Sequence, residues 1–246
     1  FPCPLTEEPH LCFLKVPFPA SPLLSILQHR WSHVRTSADI SYYFSYFFPA
    51  FHLKLTKGLD YEYQDANGNE KAVHVYPIDF QNPENNTFWV VNQLSIKGKN
   101  KRRPDVIVYV NGLPLIVFEL KNWFDENTNL QEAFNQIQHY TKDIPLLFEY
   151  NVTTIVSDGN EAQHGMFNAS NEWYAAWKSI NGTTIVEDDF QMHTLLFGLF
   201  PKDRLLNYIK NFVFFEDHNG TLIKKGAKYH QFFGVNFAVE AAKKAI

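Results

Sequence analysis

The stretch Arg102–Asn122, RRPDVIVYVNGLPLIVFELKN, constrains the fold more than any other part of the chain. Two apolar runs, Val106–Val110 and Leu113–Phe118, flank Asn111-Gly112, a dipeptide that favours the tight turn of a β-hairpin. Three ionisable residues punctuate this apolar text: Asp105 where the first strand begins, then Glu119 and Lys121 where the second ends. A carboxylate inside IVFELK is costly to desolvate unless a cation or a hydrogen-bond donor compensates it. Alternation along a strand puts Glu119 and Lys121 on one face. Whether Asp105 joins them depends on the turn. A two-residue loop pairs Val110 with Leu113, sets Pro104 opposite Glu119 and turns Asp105 to the other face. A three-residue loop, Asn111-Gly112-Leu113, sets Asp105 opposite Glu119, with Cβ atoms roughly 4.5–5.5 Å apart. Two carboxylates that close can share one hard cation. The odd loop, or an equivalent bulge, is therefore predicted.

The 246 residues allow one large domain or a domain with appendages. A formal net charge of −4 gives no global signal for nucleic acid, so any such signal must be local. The two cysteines, Cys3 and Cys12, are too few for a zinc site or a disulfide framework, which points to reducing cytosol. No membrane span or signal peptide is expected, and hence a cytoplasmic location. With no Met at position 1 and a helix-like end at Lys243–Ile246, the chain is expected to be a fragment.

Residues 1–45 read as an unassigned arm rich in proline and aromatics, with a short helix over Ser25–Arg35 and an aromatic run at Tyr42–Phe48. Next, LDYEYQ (Leu59–Gln64) and AVHVYPI (Ala72–Ile78) predict a hairpin, and Thr87–Ile96 a strand. Lys97, Lys99, Lys101, Arg102 and Arg103 put five basic residues in seven, either a solvated loop or an edge that contacts phosphates. Their position just before Asp105 favours the second. Asp125–Thr128 supplies helix-start residues, and Leu130, Ala133, Phe134 and Ile137 recur at helical spacing up to about Asp143. Gln136 and Tyr140 share a face of that helix. Asn151–Ser157 predicts a further strand, giving α/β order. Trp173 and Trp177, at the helical spacing i and i+4, read as core, Asp189–Asn211 as helix broken by Pro201, and Lys224–Ile246 as a basic helix running through residues 229–236. His139 reads as a solvated histidine, Asp79 as structural and Asp158-Gly159 as a turn.

Asp105 with Glu119-x-Lys121 fits metal-dependent phosphodiester hydrolysis. Two carboxylates hold Mg²⁺, and a lysine beside the metal orients water and offsets transition-state charge. Alone, this pattern is common; the apolar context, Pro104 and the Gln136/Tyr140 pair sharpen it. Together the residues resemble the PD-(D/E)xK nuclease superfamily in its QxxxY-bearing branch. RRPDVIVYVNGLPLIVFELKN, EAFNQIQHYTKDIPLLFEYN (Glu132–Asn151) and IVSDGNEAQHG (Ile155–Gly165) are similar to the N-terminal nuclease region of the restriction (motor) subunit of type I restriction–modification enzymes.

That resemblance covers roughly residues 51–240 and implies a restriction-endonuclease-like α/β core, a mixed sheet flanked by helices. It implies a nuclease domain over 46–200, then a linker and the start of a truncated ATP-dependent motor over 201–246. It makes Asp105 and Glu119 metal ligands, Lys121 the catalytic lysine, and the Leu120 carbonyl a further ligand; Gln136 and Tyr140 support the site and contact DNA. The implied cofactor is Mg²⁺, with ATP only in the full-length subunit, since no G-x-x-x-x-G-K-[ST] loop occurs here. The implied partners are double-stranded DNA and the methylation and specificity subunits. Residues 1–45 show no match, and the additional acid that such nucleases carry on an early helix has no candidate here. Two rival readings stay open: a catalytically silent DNA-binding or assembly module, and an RNA-directed or stand-alone repair nuclease.

Overall fold

Asn111 and Gly112 both take positive φ, 50° and 82°, the left-handed pair that closes a two-residue hairpin. They join strands β6 (Val106–Val110) and β7 (Leu113–Leu120). The computed structural model describes residues 49–64, 67–122, 129–187, 190–218 and 221–246. The predicted arm, with Ser25–Arg35 and Tyr42–Phe48, lies outside the described residues, as do Asp125–Thr128 and Asp189.

Val110 pairs with Leu113 and Tyr109 with Pro114, but the next pair is Val108 with Ile116. The three-residue loop is thus corrected to a two-residue turn, and the bulge offered as its equivalent is present. Leu115 is the extra residue, and Leu115 and Ile116 both enter the same core. Pro114, just before it, has no N–H to give the ladder, so the irregularity falls where pairing is already weakened. From there Ile107 pairs with Val117 and Val106 with Phe118, so the same register sets Asp105 against Glu119.

Around this hairpin runs a six-stranded sheet. Its order is β10 (Ala175–Ala176), β9 (Ala162–Gly165), β8 (Thr153–Ser157), β7, β6 and β3 (Phe88–Asn92). Only the β7–β8 pair is parallel. The crossover between them carries helix α1 (Leu130–Asp143), started by Asn129, whose side-chain oxygen accepts from the Glu132 N–H at 3.1 Å. Val108, Ile116, Phe118 and Ile155 line one face of the sheet. They share a core with helices α2 (Gln191–Leu199), α3 (Lys202–Asn211) and α4 (Tyr229–Ala245). Ile107, Val117 and Val156 line the other face, under Ala133, Ile137 and Tyr140 of α1.

Smaller hairpins complete the fold: β1 (Leu59–Gln64) with β2 (Glu70–Val75), β4 (Ile96–Lys97) with β5 (Lys101–Arg102), and β11 (Val213–His218) with β12 (Thr221–Gly226). The last corrects the sequence reading, in which Lys224 began the basic helix; that helix starts at Tyr229. Trp177 is buried, as expected, but Trp173 is 61% exposed. The helical spacing assumed for them is absent, because Asn171–Trp173 is a single 3-10 turn followed by β10. Asp79 accepts from the N–H groups of Gln81 and Asn82, and Asp158 from those of Asn160 and Glu161, so both are turn acceptors. Among the described residues, no helix is long and apolar enough to cross a membrane.

Candidate active site

The end of β7 brings Glu119 beneath α1. Its residue is 4% exposed and both carboxylate oxygens are engaged. Oε1 accepts from Lys121 Nζ at 2.8 Å, and Oε2 from the Tyr140 hydroxyl at 2.8 Å. Burial pushes the Glu119 pKa above the usual carboxylate range. The Lys121 hydrogen bond pulls it back, the nearby charge of Asp105 pushes it up again, and Tyr140 pulls it back in part. Burial raises the Tyr140 pKa strongly, so the phenol keeps the proton it donates. Gln136, one turn earlier on α1, acts on the same hydroxyl and partly offsets that rise.

Asp105 completes the group from the residue just before β6. Its Oδ2 accepts from the Leu120 N–H at 2.8 Å, and its Oδ1 from Gln93 Nε2 at 2.6 Å. The Leu120 N–H therefore links the two acidic positions through the backbone. All five predicted site side chains, Asp105, Glu119, Lys121, Gln136 and Tyr140, lie on the α1 side of the sheet.

The donor set suits a hard divalent cation. Two carboxylates, one just before β6 and one in β7, with the Leu120 carbonyl between Glu119 and Lys121 in sequence, offer oxygen ligands only. Each carboxylate oxygen keeps acceptor capacity beyond its one protein hydrogen bond. Among the described residues, no group of three or more His, Cys, Asp and Glu side chains could hold a metal. Mg²⁺ commonly takes one or two carboxylates and fills its shell with water and substrate phosphate.

The predicted basic cluster forms a separate feature, β4–β5 and its flanks. Lys97, Lys99, Lys101 and Arg103 are exposed. Arg102 differs: its guanidinium is spent on Asp143, with Nη2 at 2.5 Å and Nε at 2.6 Å from Oδ2. Asn100 Nδ2 donates to the other oxygen at 2.7 Å, and the Lys99 N–H to the Asp143 carbonyl at 2.8 Å. Arg102, then Asn100, holds the Asp143 carboxyl below its usual range. Gly98 allows the close approach, since a Cβ there would sit 2.1 Å from the Asp143 carbonyl oxygen. The last turn of α1 thus grips the acidic group through Tyr140 and the basic hairpin through Asp143.

Sequence reasoning missed Gln93 and Asp143. Asp143 stands three residues after Tyr140, but nothing in the sequence names Arg102 as its partner. Gln93 follows a strand and carries no local signal. His139, read as solvated, is exposed.

Comparison with known proteins identifies relatives of the chain. Residues 33–173 match the family described as "Type I restriction enzyme R protein N terminus". The match begins inside the segment in which no resemblance was expected. The HindI endonuclease subunit of Haemophilus influenzae, a type I restriction enzyme, is 43% identical over 197 residues, covering 78% of this chain and 19% of that protein. The putative MjaIXP endonuclease subunit of Methanocaldococcus jannaschii is 30% identical over 217 residues, 80% of this chain and 20% of its own length. The EcoprrI endonuclease subunit of Escherichia coli is 28% identical over 175 residues, 68% of this chain and 54% of the relative. The chain spans about a fifth of the first two relatives. With more than half of its residues matched, the chain belongs to the family of type I restriction enzyme R protein N-terminal regions.

Proposed function

We propose that this region is the Mg²⁺-dependent endonuclease centre of a type I restriction enzyme, cleaving phosphodiester bonds of double-stranded DNA. The observation that carries this reading is the meeting of Asp105, Glu119 and Lys121 on one face of the sheet, with Tyr140 bonded to Glu119. Asp105, Glu119 and the Leu120 carbonyl would hold the cation. Its chemistry there is polarisation of a phosphate oxygen and acidification of water. Tyr140 fixes the Glu119 carboxylate, and Gln136 fixes Tyr140. Lys121 keeps an ammonium beside the acidic pair, where it can orient the attacking water and offset charge that develops on the phosphate. Lys97, Lys99, Lys101 and Arg103 contact the DNA backbone and supply affinity without reading sequence.

Sequence recognition then belongs to a specificity subunit, acting with the methylation subunits of a cytoplasmic complex. ATP-driven translocation belongs to the remainder of the full-length subunit. The test is cleavage by the assembled enzyme carrying Lys121→Ala or Asp105→Ala. Both are expected to lose nicking and double-strand cleavage while ATP-driven translocation continues. Undiminished cleavage by either variant would remove the endonuclease reading and leave a silent DNA-binding module. Cleavage of RNA in preference to duplex DNA would replace it with an RNA-directed nuclease.

A further inference from the structure

Gln93 stands one residue beyond β3, where the ladder with β6 ends at the pair Asn92–Val106. Its φ is 54°, in the left-handed region. An L residue there is strained, a strain that glycine avoids. A turn that needed only this backbone shape would be served best by glycine. The glutamine side chain has a use, however: its amide donates to Asp105 Oδ1 at 2.6 Å, while its backbone N–H donates to the Asp105 carbonyl at 2.9 Å. The acceptor is a carboxylate, so the amide nitrogen faces it, in a charge-assisted bond. With the Leu120 N–H on Oδ2, Asp105 is held at both oxygens and at its backbone.

The two acidic positions are stabilised by different means. Glu119 is held in part by an ammonium, from Lys121. Asp105 is held by two neutral donors, which fix the carboxylate without adding a positive charge that would repel an incoming cation. Each Asp105 oxygen keeps acceptor capacity for a ligand.

We infer that Gln93 is a positioning residue for cation capture, orienting Asp105 toward the site it shares with Glu119. This rests on the reading of Asp105 as a cation ligand. Groups that orient metal ligands from behind typically contribute 10–100-fold in affinity. The experiment is Mn²⁺ titration of the full-length subunit without nucleotide, followed by electron paramagnetic resonance of the free ion. Thermal midpoints are measured in parallel. Gln93→Gly removes the amide and relieves the left-handed residue. Its Mn²⁺ affinity is expected to fall by about tenfold or more while its midpoint stays level or rises. Gln93→Met, similar in length and without a donor, should weaken binding equally, and it keeps the test alive should the glycine variant fail to fold.

Affinity within about twofold of the unsubstituted protein in either variant overturns the inference, since that lies well below the effect expected of such a group. So does weakened binding accompanied by a lower midpoint in both variants, which would mark Gln93 as structural. Asp105→Ala separates the levels. Loss of binding there with unchanged Gln93 variants sinks only the role of Gln93. Unchanged binding in Asp105→Ala sinks the endonuclease reading with it.

Discussion

Glu119 and Asp143 are both covered carboxylates, 4% and 7% exposed, and both are gripped near the last turn of α1. Their acidities move in opposite directions. Asp143 lies under a thin hairpin at the periphery and is bonded by Arg102, Asn100 and, at its carbonyl, by Lys99. Its charge is already answered, so its pKa falls. Glu119 lies deeper, has one lysine and one phenol, and faces Asp105; burial wins and its pKa rises. A carboxylate that the fold compensates is structural, whereas one left short of positive charge has room for a cation.

Exchanging the two acids for their amides is the strongest way to break this comparison. Glu119→Gln is expected to reduce cleavage by about a hundredfold to a thousandfold, the loss typical of one essential charge-stabilising group. Its thermal midpoint should hold or rise, because an under-compensated buried charge is gone. Asp143→Asn should do the reverse: a lower midpoint and weaker DNA binding as β4–β5 loosens, with Mn²⁺ affinity retained. A destabilised Glu119→Gln, or an Asp143→Asn variant that loses the cation, would erase the distinction.

Tyr140→Phe sharpens the comparison through pH. The folded-state pKa of Glu119 is raised, so the ionised, cation-binding form is lost as pH falls through that raised value. The Tyr140 hydrogen bond favours the ionised form, so its removal raises the pKa further. The acid limb of the cleavage profile should therefore move to higher pH, at a cost in stability of about 1 kcal/mol. An unmoved limb would mean that Glu119 does not set it.

The smallest effect concerns the exposed lysines of the basic hairpin. Lys99→Gln should lower DNA affinity on every sequence alike and reduce the slope of log K against log salt by about 0.9. Arg102→Gln, by contrast, should act mainly on stability, since that guanidinium belongs to Asp143. An Arg102 variant that changed the salt slope and left stability untouched would show that the pairing yields to DNA.

The hairpin and its three charges were legible because they interrupt an apolar run in which every other residue has an obvious place. The register was legible only as a choice between loop and bulge: both put Asp105 opposite Glu119, and packing of Leu115 and Ile116 into one core decides between them. Gln136 and Tyr140 could be found from helical spacing. Gln93 and Asp143 could not, for their partners lie 12 and 41 residues away and are set by tertiary placement. The β11–β12 hairpin was missed although Asn219-Gly220 stands between VFFEDH and TLIKKG. The lysines of its second strand read as part of the basic helix that follows. Lys224 is in fact buried, its ammonium donating to the Asn151 carbonyl.

The most direct measurement is anomalous scattering from crystals of the full-length subunit soaked in Mn²⁺. The account predicts a peak between the carboxylates of Asp105 and Glu119, within ordinary metal–oxygen distance of both, that disappears in Glu119→Gln. No peak there, or a peak that survives that substitution, would contradict it.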